Sequence, residues 1–320
     1  MPVTQTSSGD NSAFIEYTAG STYTEILTEV QTFLVAHGWT KEDASFWDAG
    51  SNKCVMTYKA VNKDATTYKY IQIGYYDTTG YSFYCKVYEG YNSTTKIGTN
   101  LAYYSDNHAL WSQAITLASH NGRLHLFASE RYFFMLNIGT VIGSSTGNGG
   151  IGCFEFSVAN DGDNTPHFAW MNSYLATSNY KPSTSYSNYY VLCPPRTAKY
   201  TGAQATYYNR MCTPIGHWGG EGVSTTNYFD MNGTIPSNPP PFGATVKHHV
   251  FDIIASFDNT TNRYVKGKMF GLKAFTTNIG ANGDIFRVAC DSDMFLDNGG
   301  TDLDHFIIKQ GTYGSFGIPL

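Results

Sequence analysis

Apolar residues recur along this chain at two spacings, and almost all of it follows the shorter one. The helical spacing occurs once, where Ile26, Val30, Phe33, Leu34 and His37 fall on one face. Thr22 and Glu25 fit the S/T-x-x-E capping box, in which each side chain satisfies a free backbone donor at a helix start. Gly38 then offers the left-handed residue that ends helices, with Trp39 directly after it. A helix with one apolar face needs a surface to bury it, so this one is expected to pack on a sheet.

Beyond it the text is strand-like. Segments 54–61, 66–76 and 81–88 are rich in aromatic and β-branched residues, and turn-forming Asn62-Lys63-Asp64 and Asp77-Thr78-Thr79-Gly80 join them. They predict an antiparallel meander. Asn121-Gly122 gives the strongest hairpin signal, because Asn-Gly accepts the positive φ angles of a type I′ turn; it lies between apolar segments 114–118 and 123–127. Segments 130–142 and 151–158 predict strands around a glycine-serine loop, and 245–257, 263–275, 284–289 and 303–309 predict more. The apolar ending 316–320 is expected to be docked. No repeat of about 20 to 50 residues emerges, which argues against a propeller or solenoid.

These elements predict a mainly β fold: antiparallel sandwich or barrel-like sheets, with one N-terminal helix packed on a sheet. Residues 1–20 read as a loose polar N-terminal arm, and 21–212 as a core of helix plus β meander. Residues 213–243, with Pro239-Pro240-Pro241 and six glycines, read as a Gly/Pro-rich insertion or extended loop. Residues 244–320 supply C-terminal strands that complete the same domain or a second one.

Composition sharpens this picture. Charged residues make up 14% of the 320, against roughly 25% in an ordinary soluble domain, while aromatic residues reach 16%. The surface must therefore be built largely from hydroxyls, amides and tyrosine, which suits a protein committed to neighbours or to sugars. A net charge of -5 and pI near 6.0 provide no basic field, so nucleic acid is not an expected partner. No apolar run approaches the roughly 18 residues of a membrane span, so no membrane insertion is expected. The opening Met1 to Asp10 has neither basic patch nor apolar stretch, so no signal peptide is expected and synthesis in a cytoplasm is.

Candidate chemistry is sparse. Cys54, Cys85, Cys153, Cys193, Cys212 and Cys290 contain no C-x-x-C pair, and most sit in strand-like text, so they read as buried free thiols. Gly143-Ser144-Ser145-Thr146-Gly147 matches the G-x-S-x-G of hydrolase nucleophiles, but that motif needs a strand-to-helix turn, and a strand is predicted to follow. The acidic clusters at 161–164 and 291–304 lack calcium-loop spacing and read as solvated turns. His248-His249 point to opposite faces of one predicted strand, so they cannot share a metal ion. The Asn92, Asn232 and Asn259 sequons read as coincidence in a chain rich in Asn and Thr. No catalytic, cofactor-binding or metal-binding residues are therefore expected. Candidate contacts to a partner or ligand are Tyr180, Tyr186, Tyr189 and Tyr190, in a Tyr/Ser/Asn tract spanning 174–190, with His217 and Trp218.

Several stretches together resemble structural proteins of tailed-bacteriophage virions. They are the entry helix ending in Gly38-Trp39-Thr40, the segment Asn121-Gly122-Arg123-Leu124-His125-Leu126-Phe127-Ala128-Ser129, and His167-Phe168-Ala169-Trp170-Met171-Asn172. Gly283-Asp284-Ile285-Phe286-Arg287-Val288 and the short apolar ending belong with them. The resemblance implies a non-enzymatic homo-oligomeric subunit of a virion made in the host cytoplasm. Tail, neck or baseplate is favoured over capsid decoration. Its partners would be copies of itself, other virion proteins and, in a receptor-binding adhesin, host surface glycan. A glycan hydrolase is the remote alternative; it requires two facing carboxylates.

Overall fold

The computed structural model describes residues 3–18, 21–43, 46–48, 53–76, 82–101, 122–139, 149–159, 168–174, 191–193, 208–213, 216–218, 250–258, 263–275, 285–287, 304–309 and 315–319. In chain order the first elements are β1 (Gln5–Gly9), β2 (Ser12–Tyr17), α1 (Tyr23–Ala36), β3 (Thr40–Lys41), β4 (Phe46–Asp48), β5 (Lys53–Val61), β6 (Tyr68–Tyr76), β7 (Ser82–Asn92) and β8 (Ile97–Leu101). There follow β9 (Gly122–Ser129), β10 (Tyr132–Gly139), β11 (Gly149–Ala159), β12 (Phe168–Tyr174), β13 (Val191–Cys193), β14 (Tyr208–Thr213) and β15 (Gly216–Trp218). The last are β16 (Val250–Asp258), β17 (Arg263–Phe275), β18 (Ile285–Arg287), β19 (Asp304–Lys309) and β20 (Ser315–Pro319). The fold is mainly β and antiparallel, with one helix near the N-terminus among the described residues. No described helix is long and apolar enough to cross a membrane.

The chain divides into two compact units: residues 1–155, 166–177 and 187–203 form the first, and the remainder forms the second. The first unit contains two sheets. One runs in the order β1-β2-β9-β10-β11-β12-β13; the other is six-stranded, in the order β3-β5-β6-β7-β8 with β4 also on β5. The second is the meander that segments 54–61, 66–76 and 81–88 predict. Alternation in its strands sends Met56, Tyr58, Ala60, Ile71, Ile73 and Val87 into a core shared with Ala13, Ile15, Leu124, Leu126, Phe133, Met135 and Cys153 of the first sheet. β10 and β11 are covered on both faces: Tyr132, Phe134 and Phe154 point away from that core, are buried as well, and pack ring against ring at 5.7–5.8 Å. Gly152 is required here, since a Cβ would lie 1.9 Å from the Phe133 carbonyl oxygen.

α1 forms as its sequence predicts and packs on β2, β9 and β3. The Thr22 hydroxyl accepts the Glu25 N–H at 3.2 Å, and the Glu25 carboxylate accepts the Thr22 N–H at 2.8 Å. The Thr22 N–H, together with the Thr22 hydroxyl donating to the same carboxylate at 2.9 Å, favours the charged carboxyl and holds Glu25 below its usual range. Ile26, Leu27, Val30, Phe33 and Leu34 are buried. His37 departs from the expected apolar face: its ring bonds the Phe33 and Asp10 carbonyls at 2.6 and 3.1 Å, at the C-cap. Gly38 takes φ +87°, which lets Trp39 N–H reach back to the Leu34 carbonyl at 3.0 Å.

Two sequence expectations are corrected. Residues 5–17 are no loose arm: β1 and β2 form a hairpin, β2 pairs with β9, and Ala13, Ile15 and Tyr17 are buried. The alternation Ala13, Ile15, Tyr17 is a strand signal that follows a long polar opening. Likewise β9 is not paired as the Asn121-Gly122 signal predicted, because both of its edges are taken, by β2 and by β10. Its hairpin turn is Glu130-Arg131, although nothing about those two residues advertises a turn. Segment 114–118 lies outside the described residues.

In the second unit β17 pairs with β16 along one edge and with Phe156–Ala159 of β11 and then β20 along the other. β14 and β15 extend the sheet from β16, and β19 and β18 extend it from β20. β17 matches segment 263–275 residue for residue. The C-terminal segment is docked as expected, with Ile318 fully buried.

Candidate functional site

The most developed polar site lies inside the first unit, where β6, β11 and two turns converge. Its centre is an ion pair with almost no exposure: Lys69 Nζ stands 3.2 Å from Glu155 Oε2, and the two side chains are 0% and 1% exposed. Lys69 is on the same face of β6 as Ile71 and Ile73, and Glu155 on the same face of β11 as Cys153. Each strand therefore presents a charge at a register position that its alternation assigns to the core. Opposed charges of this kind persist only when geometry and hydrogen bonding offset desolvation.

The hydrogen bonding is complete. An ammonium has three donors, and Lys69 directs them to Glu155, to the Val61 carbonyl at 3.1 Å and to Asn62 Oδ1 at 3.5 Å. The Glu155 carboxylate also accepts the Lys63 backbone N–H and Arg131 Nη1, the latter at 3.3 and 3.4 Å. Arg131 is supplied by the β9–β10 turn and is one-quarter exposed. Trp39 covers the pair: its ring centroid lies 5.6 Å from Lys69 Nζ, and its indole N–H bonds the Ser129 carbonyl at 2.9 Å.

The turn between β5 and β6 is built to aim Asn62 inward. Asp64 Oδ1 accepts the N–H groups of Thr66 and Thr67, both at 2.9 Å, and Thr67 donates its hydroxyl to Asp64 Oδ2 at 2.7 Å. Asn62 donates its amide to Thr67 Oγ1 at 2.9 Å and is buried. Ala65 adopts φ 57° to close this loop. Burial pushes Lys69 below its usual lysine range, opposed by the attraction of Glu155. Cys153, beside the cluster and buried, is pushed up to about 12 by desolvation, which makes it an inert thiol. This bears out the buried-thiol reading for that cysteine.

A second constellation occupies the outer face and edge of the meander. Tyr68, Tyr70 and Gln72 alternate with the buried Lys69, Ile71 and Ile73. Tyr68 is 42% exposed; Lys59 Nζ lies 5.1 Å from its ring centroid, and Tyr70 lies 6.4 Å away, ring to ring. Tyr91 is 6.2 Å from Tyr70, and its hydroxyl donates to Asp43 at 3.0 Å. Asp43 also pairs with Lys96, and Glu42 with Lys59 at 2.6 Å. The Glu42 bond pushes Lys59 upward, and burial pushes Tyr70 and Tyr91 upward.

Of the contact residues expected from sequence, the described structure includes His217 and Trp218. His217 and Trp218 lie in β15, opposite Cys212 and Met211 of β14, so the start of the 213–243 stretch is a short hairpin. Tyr180, Tyr186, Tyr189 and Tyr190 lie outside the described residues. So do the Gly143–Gly147 motif, His248-His249 and the 161–164 cluster. Among the described residues no three His, Cys, Asp or Glu side chains are grouped to hold a metal ion. The Lys69–Glu155 site has one signal in the sequence, a charge in phase with Ile71 and Ile73, which the sequence expectations do not include.

The chain matches no protein-family model and no curated protein sequence.

Proposed function

We propose that this chain is a structural subunit of a tailed-bacteriophage particle, of the tail, neck or baseplate, working by contact with copies of itself and other virion proteins. The observation that carries this reading is the half-exposed row of Tyr68, Tyr70 and Tyr91 on the outer face of the meander, flanked by Lys59, Glu42 and Asp43. Rigid tyrosines offer apolar area with a polar tip and few rotamers to immobilise, which is what protein interfaces select. The low overall charge supports the same reading. The resemblance supplies the particle; the tyrosine row supports contact in general.

Sedimentation of the full chain over a range of concentrations tests it. Defined oligomers are expected, and Tyr68→Glu combined with Tyr70→Glu should dissociate them while leaving the circular dichroism unchanged. A monomer at high concentration with no affinity for particles overturns it. The exposed Tyr68 ring beside hydrogen-bonding Lys59 and Glu42 also favours a second reading, a glycan-binding adhesin, since sugar rings stack on such platforms. Binding on a glycan array that the same double variant abolishes would establish that reading.

A further inference from the structure

The buried cluster contains a nucleophile, an electrophile and a proton carrier in hydrogen-bonding contact. We propose that Lys69 and Asn62 become joined by a self-formed amide cross-link, with Glu155 moving the proton. Lys69 Nζ already lies 3.5 Å from Asn62 Oδ1, on the side chain whose Cγ it would attack, and 3.2 Å from Glu155. Nζ must therefore close on Cγ from its present place at the carbonyl oxygen, and confinement of both groups in one buried cluster supplies the advantage of an intramolecular reaction. All three side chains are buried, which excludes water as a competing nucleophile and favours a neutral amine over an ammonium. The Asp64–Thr67 bonds hold the turn, and Thr67 holds the leaving amide nitrogen, so the electrophile is fixed in place.

The step balances without any outside reagent. Lys69 passes one proton to Glu155, and the freed amine attacks Cγ of Asn62 to form a C–N bond. The C–Nδ2 bond then breaks, the Glu155 carboxylic acid returns its proton to the departing nitrogen, and the amine's remaining surplus proton leaves with it. The products are a Lys69–Asn62 amide, an ionised Glu155 and ammonium. The reaction is expected to be slow and to occur once. A single turnover on itself leaves the protein without a substrate and is compatible with a subunit that works by contact.

The test is peptide and intact mass spectrometry on the purified full chain. The intact protein should weigh about 17 Da less than its sequence, the mass of one ammonia. Mass alone is insufficient, because succinimide formation at Asn121-Gly122 or Asn148-Gly149 loses the same ammonia. Trypsin must therefore release residues 60–63 branched onto 64–86, with no cleavage after Lys69, and hydroxylamine must leave the branch intact. Asn62→Ala should abolish the branched peptide. Glu155→Gln, checked for folding by circular dichroism, should slow its formation at least tenfold. Recovery of the linear peptides 60–63 and 64–69 from aged wild-type protein overturns the proposal, and unslowed linkage in folded Glu155→Gln overturns the role given to Glu155.

Discussion

Glu155 and Asp43 each anchor a lysine of the meander sheet, and they do so in opposite surroundings. Glu155 meets Lys69 with neither side chain exposed, while Asp43 meets a Lys96 that is 47% exposed. In the first case every donor of the ammonium and both carboxylate oxygens have partners within the fold. In the second, water satisfies much of the lysine and screens the pair. A lysine–carboxylate pair therefore contributes very differently in the two settings. The buried pair fixes how two sheets of the first unit register, since a displaced sheet would leave a charge without a partner; the edge pair fastens a turn.

Removing one partner from the buried pair should have the largest effect. Glu155→Leu strips the buried Lys69 of its carboxylate partner and Arg131 of one of its two, a loss of about 3–5 kcal/mol of stability. Urea unfolding measures it. The informative control is Glu155→Leu with Lys69→Met, which removes the stranded charge and should be more stable than Glu155→Leu alone. If the double variant is the weaker of the two, the cost lies in packing rather than in the uncompensated charge.

His125 shows a third way in which the first unit handles an ionisable group: it keeps it neutral. Its ring lies 6.1 Å from Phe14 and 6.4 Å from Phe127, and burial, aided by the charge of Arg123, pushes it down to about 4. The unfolded histidine titrates near 6.5, so between those values the unfolded chain binds more protons than the folded one. Stability contributed by the neutral ring is thus complete above about pH 6.5 and is lost as pH falls toward 4, by at most about 3 kcal/mol. Unfolding midpoints at pH 7 and pH 4.5 should differ less in His125→Phe than in the wild type. An unchanged difference would place the pH dependence elsewhere.

The contrast between the clusters also explains what was legible in the sequence. The meander, α1 with its capping box, and β17 follow from local periodicity and capping chemistry, and those signals survive folding because nothing tertiary competes with them. The β1–β2 hairpin reads as an arm in the sequence because composition outweighs the alternation of Ala13, Ile15 and Tyr17. The partner of β9 could not be read locally at all: Asn121-Gly122 favours one turn, but an edge already covered by β2 leaves no room for the strand it implies. Lys69 and Glu155 are 86 positions apart. Each alone is one charged residue at a core-facing position of a strand, and only the stacking of two sheets makes them a site.

The smallest expected effect is at the edge cluster. Asp43→Asn keeps an acceptor for the Tyr91 hydroxyl and removes the charge attraction for Lys96, so it should cost no more than about 1 kcal/mol. That cost should shrink further as sodium chloride rises from about 0.05 to about 1 M, because the screening length falls below the reach of an exposed pair. The penalty for Glu155→Leu should hold constant over the same range, since ions do not enter the space between Lys69, Trp39 and Arg131. A salt-independent Asp43→Asn, or a salt-sensitive Glu155→Leu, would mean that burial is not what separates the two anchors.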